Sequence, residues 1–288
     1  MSKIKSGVLA HAGCPYDGEM DVQSPGIVSP EPREVEPKLN AEAPWNSFDP
    51  VAYVDHNYRL LRPDDAEILR ITRDHFIDHF RGKPKESGRP LRAIDVGAGA
   101  NLYPALTMLP WCDEITLFER STANVEYLRG QHAAYDSNWD PFWDVLNQEG
   151  PYREIPDPRA EFRRIVRVEQ GDLFELDRHR GTWSAGVMFF VAESMSTSRE
   201  EFETGVERFM RALEPGSPFA AAFMEGSLGY EVGAHTFPAC SVNDNDIRES
   251  LARYTDGEIA ITPVGMPGGA LRPGYEGMIV ACGIRGSE

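Results

Sequence analysis

Residues 91–101, LRAIDVGAGAN, constrain this chain more than any other stretch. An apolar run ends at Asp95 and gives way to Gly97 and Gly99, with Ala98 between them. Glycine permits tight turns and lets a ligand approach the backbone closely. In open α/β sheets, ligands bind beyond the carboxyl ends of the strands, where the strand order reverses. A strand ending in this turn therefore predicts a nucleotide site. A dinucleotide fingerprint would place a third glycine at position 102, which is leucine. Glu119 follows about 20 residues later, where a carboxylate can accept hydrogen bonds from a ribose diol. Sites for NAD and for S-adenosylmethionine share that feature, so the spacing alone leaves both open.

The rest of the chain alternates between two periodicities. Residues 45–82 carry aromatic and aliphatic side chains at helical spacing, with Asp64 or Asp65 as a cap for the second helix. LRAIDVGAG reads as strand and turn, YPALTML as a helix start, and EITLFER as a second strand. Ser121 is placed to cap the helix STANVEYLRGQHAAY. FRRIVRVEQGDLFE and WSAGVMFFVAES supply a third and a fourth strand, and LEPGSPFAAAFMEG a turn into a fifth. EIAITPVG and GMIVACGI are expected to pair as closing antiparallel strands. Strands alternating with helices predict a mostly parallel α/β sheet. Residues 1–44 carry recurrent prolines and no apolar periodicity, so they are expected to form a flexible leader. Residues 45–288 are expected to form a single domain, with 45–82 as a helical lid and 91–288 as the α/β core.

Charge narrows the partners. With 46 acidic and 29 basic residues, the net charge is −17, which disfavours nucleic acid. The four cysteines are scattered with no C-x-x-C pair, which argues against a disulfide framework and a zinc site. His75 and His79 share a helix face but have no third ligand in view, so no metal is expected. No apolar run approaches a membrane span and no secretory leader is visible. The expected setting is cytoplasmic, with a small-molecule substrate, no membrane partner and a monomer favoured.

Three later stretches choose between the nucleotides. Gly171-Asp172-Leu173 follows the third strand, where Asp172 is placed to accept from an adenine amino group. LEPGS closes a helix and opens a strand, and the chain finishes on an antiparallel pair. With D-V-G-A-G, these resemble the ordered motifs of class I S-adenosylmethionine-dependent methyltransferases. The block FDPVAYVDHNY resembles the N-terminal signature of the nicotinamide, phenylethanolamine and thioether/indolethylamine N-methyltransferase family. That resemblance covers the chain from about Phe48 to the C-terminus. It implies a Rossmann-like seven-stranded sheet, mostly parallel with an antiparallel C-terminal strand, plus an N-terminal helical lid. It implies S-adenosylmethionine as cofactor, with Tyr53, Tyr58, Asp95, Gly97, Ala98, Gly99, Tyr103, Glu119, Arg120, Asn124, Asp172 and Leu173 on the cofactor side. Asn57 stands where the family has a tyrosine, and Glu119 where it has an aspartate.

On the acceptor side the resemblance points to the acid after the fifth strand and to a Y-x-x-G. Glu225, in place of the usual aspartate, and Tyr230-Glu231-Val232-Gly233 match them, with a two-residue deletion between. Glu225 is the candidate catalytic residue, able to orient an amine or take its proton. Asn57, Phe190, Glu193, Glu225, Tyr230 and Phe237 are the candidate substrate contacts. The expected reaction is in-line methyl transfer to a nitrogen of a small molecule. Oxygen or sulfur acceptors on the same fold, or a cofactor-binding partner subunit without turnover, are the alternatives.

Overall fold

The apolar pattern around Asp95 folds as β1 (Arg92–Val96), an interior strand of a seven-stranded sheet. The computed structural model describes residues 38–83, 89–270 and 274–287. Residues 1–37, and the leader expected there, lie outside the described residues. The helices before β1 are α1 (Pro50–Asn57) and α2 (Pro63–Phe80). Both begin on proline, whose missing N–H costs nothing in a first turn. After β1 come the single turn α3 (Tyr103–Leu106), β2 (Glu114–Glu119), α4 (Thr122–Ala133), α5 (Asp140–Leu146) and α6 (Pro158–Ile165). Then follow β3 (Val166–Gln170), β4 (Ala185–Phe189), α7 (Arg199–Ala212), β5 (Pro218–Glu225), β6 (Tyr230–Val232), β7 (His235–Phe237), α8 (Asp244–Ala252), β8 (Ala260–Val264) and β9 (Gly277–Ile284).

The sheet order is β3-β2-β1-β4-β5-β9-β8. The first five strands are parallel, and β9 runs antiparallel to both β5 and β8. The mixed α/β sheet and its antiparallel close are those expected from the sequence. Alternation along the central strands fills both faces. Ala220, Ala222 and Met224 of β5 join the core on the α2 and α5 side, whereas Phe219, Ala221 and Phe223 join the core beneath α7 and α8. Strand order reverses between β1 and β4, so a crevice opens beyond their carboxyl ends.

Three local expectations need correction. Phe162–Ile165 are the last turn of α6, capped by the Asp157 side chain accepting from Ala160 N at 3.0 Å, so β3 begins only at Val166. The cap of α2 is Arg62, which makes no side-chain cap bond. Residues 38–44, read as part of the leader, are folded. Lys38 pairs with Thr197 through both backbone groups, and Asn40 N donates to Glu201 Oε2 at 2.8 Å.

Candidate functional site

The glycine turn is tied to the end of β2. Gly97 N donates to Phe118 O at 2.7 Å, and Gly99 N to Glu119 Oε2 at 2.8 Å. Gly97 and Gly99 have φ of +65° and +60°, values that strain any residue with a side chain. A Cβ at Gly97 would also fall 2.6 Å from Val191 Cγ1, whereas one at Gly99 would meet nothing closer than 3.8 Å. Gly97 is thus required by the turn and by its packing on Val191. Gly99 opens toward the cleft.

Glu119 holds this corner together. Its Oε1 accepts from Ser121 N at 2.7 Å and from Asn124 Nδ2 at 3.4 Å, while Oε2 takes the Gly99 amide. Burial raises its pKa; the bonds from Ser121, Gly99 and Asn124 oppose that rise by favouring the carboxylate. Asp95 is buried beneath the turn and does not line the cleft. Its Oδ2 has no hydrogen-bond partner, and burial, with the charge of Glu119, raises its pKa well above the usual range.

A cleft lies over the turn. Gly97, Ala98, Gly99, Glu119, Arg120, Asn124, Asp172, Leu173, Tyr53, Tyr58, Phe190 and Tyr230 all line it, so most residues predicted from sequence converge here. Asp172 accepts from Phe174 N at 3.0 Å and pairs with Arg120 Nε at 3.3 Å. Arg120 Nη1 also donates to Asn40 O at 2.9 Å, and Trp45 Nε1 donates to Asn40 Oδ1 at 2.9 Å. The segment 38–48 therefore straps across one side of the cleft. The orphaned Asn124 Oδ1 is a buried acceptor at the cleft wall. It fits a ligand that carries hydrogen-bond donors. Together with the carboxylate of Glu119 and the open face at Gly99, it suits an adenosyl group.

A second cavity adjoins the first and shares Tyr53, Tyr58, Phe190, Ser194 and Tyr230 with it. Asn57, Arg62, Asp65, Met224, Tyr275 and Met278 complete its lining. Phe190 has φ of +60°, the only positive φ of a non-glycine residue among those described. Its amide donates to Ala222 O at 2.7 Å, which holds the strained residue in place. Such outliers persist where the surroundings over-determine them. Here the strain turns the chain at the wall common to both cavities.

Four predicted residues stand behind the walls or away from them. Tyr103 is fully buried and stacks on Phe142 with ring centroids 5.4 Å apart, so it backs Tyr58 rather than lining the cleft. Phe237 is fully buried and stacks on Tyr230 at 5.4 Å and on Trp45 at 5.2 Å. Glu193 is fully buried, and its Oε1 accepts from Met224 N at 2.9 Å and Ser194 Oγ at 3.1 Å, which ties the β4 loop to β5. Glu225 lines neither cavity. Its side chain lies over Gly277 of β9, where an added Cβ would fall 2.9 Å from Oε2.

Several lining residues are not among the site residues expected from the sequence. Asn40, Trp45, Asn101, Val191 and Met195 border the cleft, and Arg62, Asp65, Tyr275 and Met278 border the second cavity. Asn101 lies two residues past Gly99 and was within reach of the glycine motif. The others carry no local signal. Among the described residues, no group of three or more His, Cys, Asp or Glu is placed to hold a metal, and no helix is long and apolar enough to cross a membrane.

Comparison with known proteins gives this cleft a family. Residues 36–262 match the model of the NNMT/PNMT/TEMT family. Phenylethanolamine N-methyltransferase of Bos taurus is 23% identical over 235 residues, covering 73% of this chain and 77% of the bovine one. Among solved structures, the N-methyltransferase NodS of Bradyrhizobium japonicum, in complex with S-adenosylhomocysteine, is similar at 11% identity and a TM-score of 0.47. It covers 79% of this chain and 89% of that one. A SAM-dependent methyltransferase of Methanosarcina mazei is similar at 12% identity and a TM-score of 0.47, covering 68% and 93%. The family match spans well over half of the sequence, and the chain therefore belongs to the NNMT/PNMT/TEMT family of methyltransferases, with S-adenosylmethionine as cofactor.

Proposed function

We propose that this enzyme methylates a nitrogen of a small molecule held in the second cavity. The observation that carries this reading is the shared wall of Tyr53, Tyr58, Phe190, Ser194 and Tyr230 between the two cavities. When bound, S-adenosylmethionine supplies an electrophilic methyl group on a positively charged sulfur. The residues of the chain do the rest by holding and aligning. Glu119 keeps lone pairs for a ribose diol beyond the backbone amides it already accepts. Asp172 and the buried Asn124 Oδ1 are the acceptors for adenine or ribose donors. The rings of Tyr53 and Tyr58, 5.7 Å apart and edge to face, exclude water from the wall and favour a cationic group beside them. Alignment of this kind can lower a barrier by about 7–11 kcal/mol.

The acceptor cavity fits a small, flat or aromatic molecule, since Tyr53, Tyr58, Tyr230, Tyr275 and Phe190 line it beside Met224 and Met278. The test is incubation with isotopically labelled S-adenosylmethionine and a panel of aromatic amines, aza-heterocycles, phenols and thiols. Label is expected on nitrogen in at least one amine or aza-heterocycle. Label confined to phenols or thiols would replace this reading with an oxygen or sulfur methyltransferase. Cofactor binding with no label on any acceptor would favour a partner subunit without turnover.

A further inference from the structure

The acceptor cavity holds a buried carboxyl group on α2, that of Asp65, which is 4% exposed. It occupies the third position of the helix, after Pro63 and Asp64. Acidic residues favour a helix N-terminus because of the helix dipole, and that alone would account for one carboxylate here. Asp64 already fills the role. It pairs with Arg62 Nη2 at 3.2 Å and accepts the Asp65 amide at 3.0 Å. Arg62, the only cation lining the cavity among the described residues, is thus matched by a carboxylate that does not line it. Asp65 remains as a second acidic group, facing tyrosine rings and sharing with Asp64 the one cation among the described lining residues. A buried carboxylate is costly unless something pairs with it.

The acids expected from sequence to serve the acceptor are engaged elsewhere. Glu193 is tied to β5 and Glu225 lies over β9. We propose that Asp65 is the counter-ion and proton acceptor for the acceptor's cationic nitrogen, and that it makes the cavity selective for arylalkyl amines over neutral molecules of equal size. This rests on the proposed N-methylation. An alkylammonium enters paired with the Asp65 carboxylate. It then gives one proton to a carboxylate oxygen, which frees the nitrogen lone pair for the methyl carbon. The methylated nitrogen leaves as an ammonium, and Asp65 returns its proton to solvent, so one proton is released for each methyl transferred.

The surroundings of Asp65 suit that exchange. Burial, with the charge of Asp64, pushes its pKa up to about 7, while Tyr103 and Arg62 hold it partly down. The Tyr103 hydroxyl faces it at a geometry looser than a formed hydrogen bond. Tyr53 of α1, Tyr58 just after it, Tyr230 of β6 and Tyr275 before β9 are the other titratable groups lining the cavity among the described residues. A base near neutrality exchanges protons with an amine far better than an ordinary carboxylate, because proton transfer is most efficient between groups of similar pKa.

The test uses benzylamine as probe, titrated into the full-length protein saturated with S-adenosylhomocysteine, between about pH 5 and pH 9. Benzylamine stays protonated through most of that range, as lysine does. Binding requires the ionised carboxylate, so affinity is expected to rise about tenfold per pH unit up to about pH 7 and then level off. Asp65→Asn is expected to lose about 10- to 100-fold in benzylamine affinity at the upper end and to abolish the pH dependence. Its affinity for S-adenosylhomocysteine, whose cleft Asp65 does not line, reports that the variant is folded. Benzyl alcohol should bind the two proteins equally. Benzylamine binding that is absent, independent of pH, or unchanged in Asp65→Asn would overturn the proposal while leaving cofactor binding, and the proposed function, standing. Failure of the wild-type protein to bind S-adenosylhomocysteine would strike the proposed function itself, and this inference with it.

Discussion

The two cavities are built by different means. The cofactor cleft is made largely from backbone at the ends of β1 and β2, where three amides of the glycine turn donate into β2 or into Glu119 and two glycines adopt left-handed conformations. The acceptor cavity is made from side chains that arrive from α1, α2, the β4 loop, β5, β6 and the lead into β9. A backbone-built site is specified by a few consecutive residues and tolerates little change. A side-chain-built site can be re-cut one residue at a time, which suits a surface that sets specificity on a fixed fold.

That contrast can be broken in several places. The largest effect is expected at Gly97. Gly97→Val must adopt a positive φ and displace Val191, and should lose about 3 kcal/mol or more of stability along with cofactor binding. A melting temperature close to wild type would refute the backbone account. Glu119→Ala comes next. It orphans the buried amides of Gly99 and Ser121, so stability should fall by about 2–4 kcal/mol and affinity for S-adenosylhomocysteine by about tenfold or more. Gly99→Ala sharpens the comparison of the two glycines. It meets open space, so only the conformational strain of about 1–2 kcal/mol is expected in a denaturant titration.

Asp95 offers a test by pH. Its folded pKa lies well above the unfolded value near 3.8, so the native state holds its proton more tightly. Stability from this group is therefore present at low pH and is lost as pH rises above about 4. Asp95→Asn removes that loss and should raise the melting temperature at neutral pH relative to wild type. A lower melting temperature would mean that the carboxylate has a stabilising partner. The smallest effect is expected at Glu225. Its side chain lies outside both cavities, so Glu225→Ala should change stability and cofactor affinity by no more than about 0.5 kcal/mol each.

The same contrast explains what the sequence made legible. The strand order, the glycine turn and Glu119 follow from periodicity and from spacings within about 20 residues. Ser121 caps α4 as its residue type predicts, accepting from Asn124 N. The start of β3 was misplaced because Phe162 and Ile165 are apolar enough to read as strand, while the helix that holds them is set by Asp157 and Pro158 upstream. The strap at 38–44 lacks apolar periodicity because hydrogen bonds to Thr197, Glu201 and Arg120, far along the chain, hold it in place. Asp65 read as a helix cap because its exposure to the cavity is decided by Tyr58, Tyr103 and Tyr275, which no local pattern brings together.

The most direct test of the account is calorimetric titration of the full-length protein and of Glu119→Ala with S-adenosylhomocysteine, with NADH as control. The account predicts micromolar binding to the wild-type protein, clear weakening in the variant and no heat from NADH. Binding of NADH, or equal affinity of the two proteins for S-adenosylhomocysteine, would contradict it.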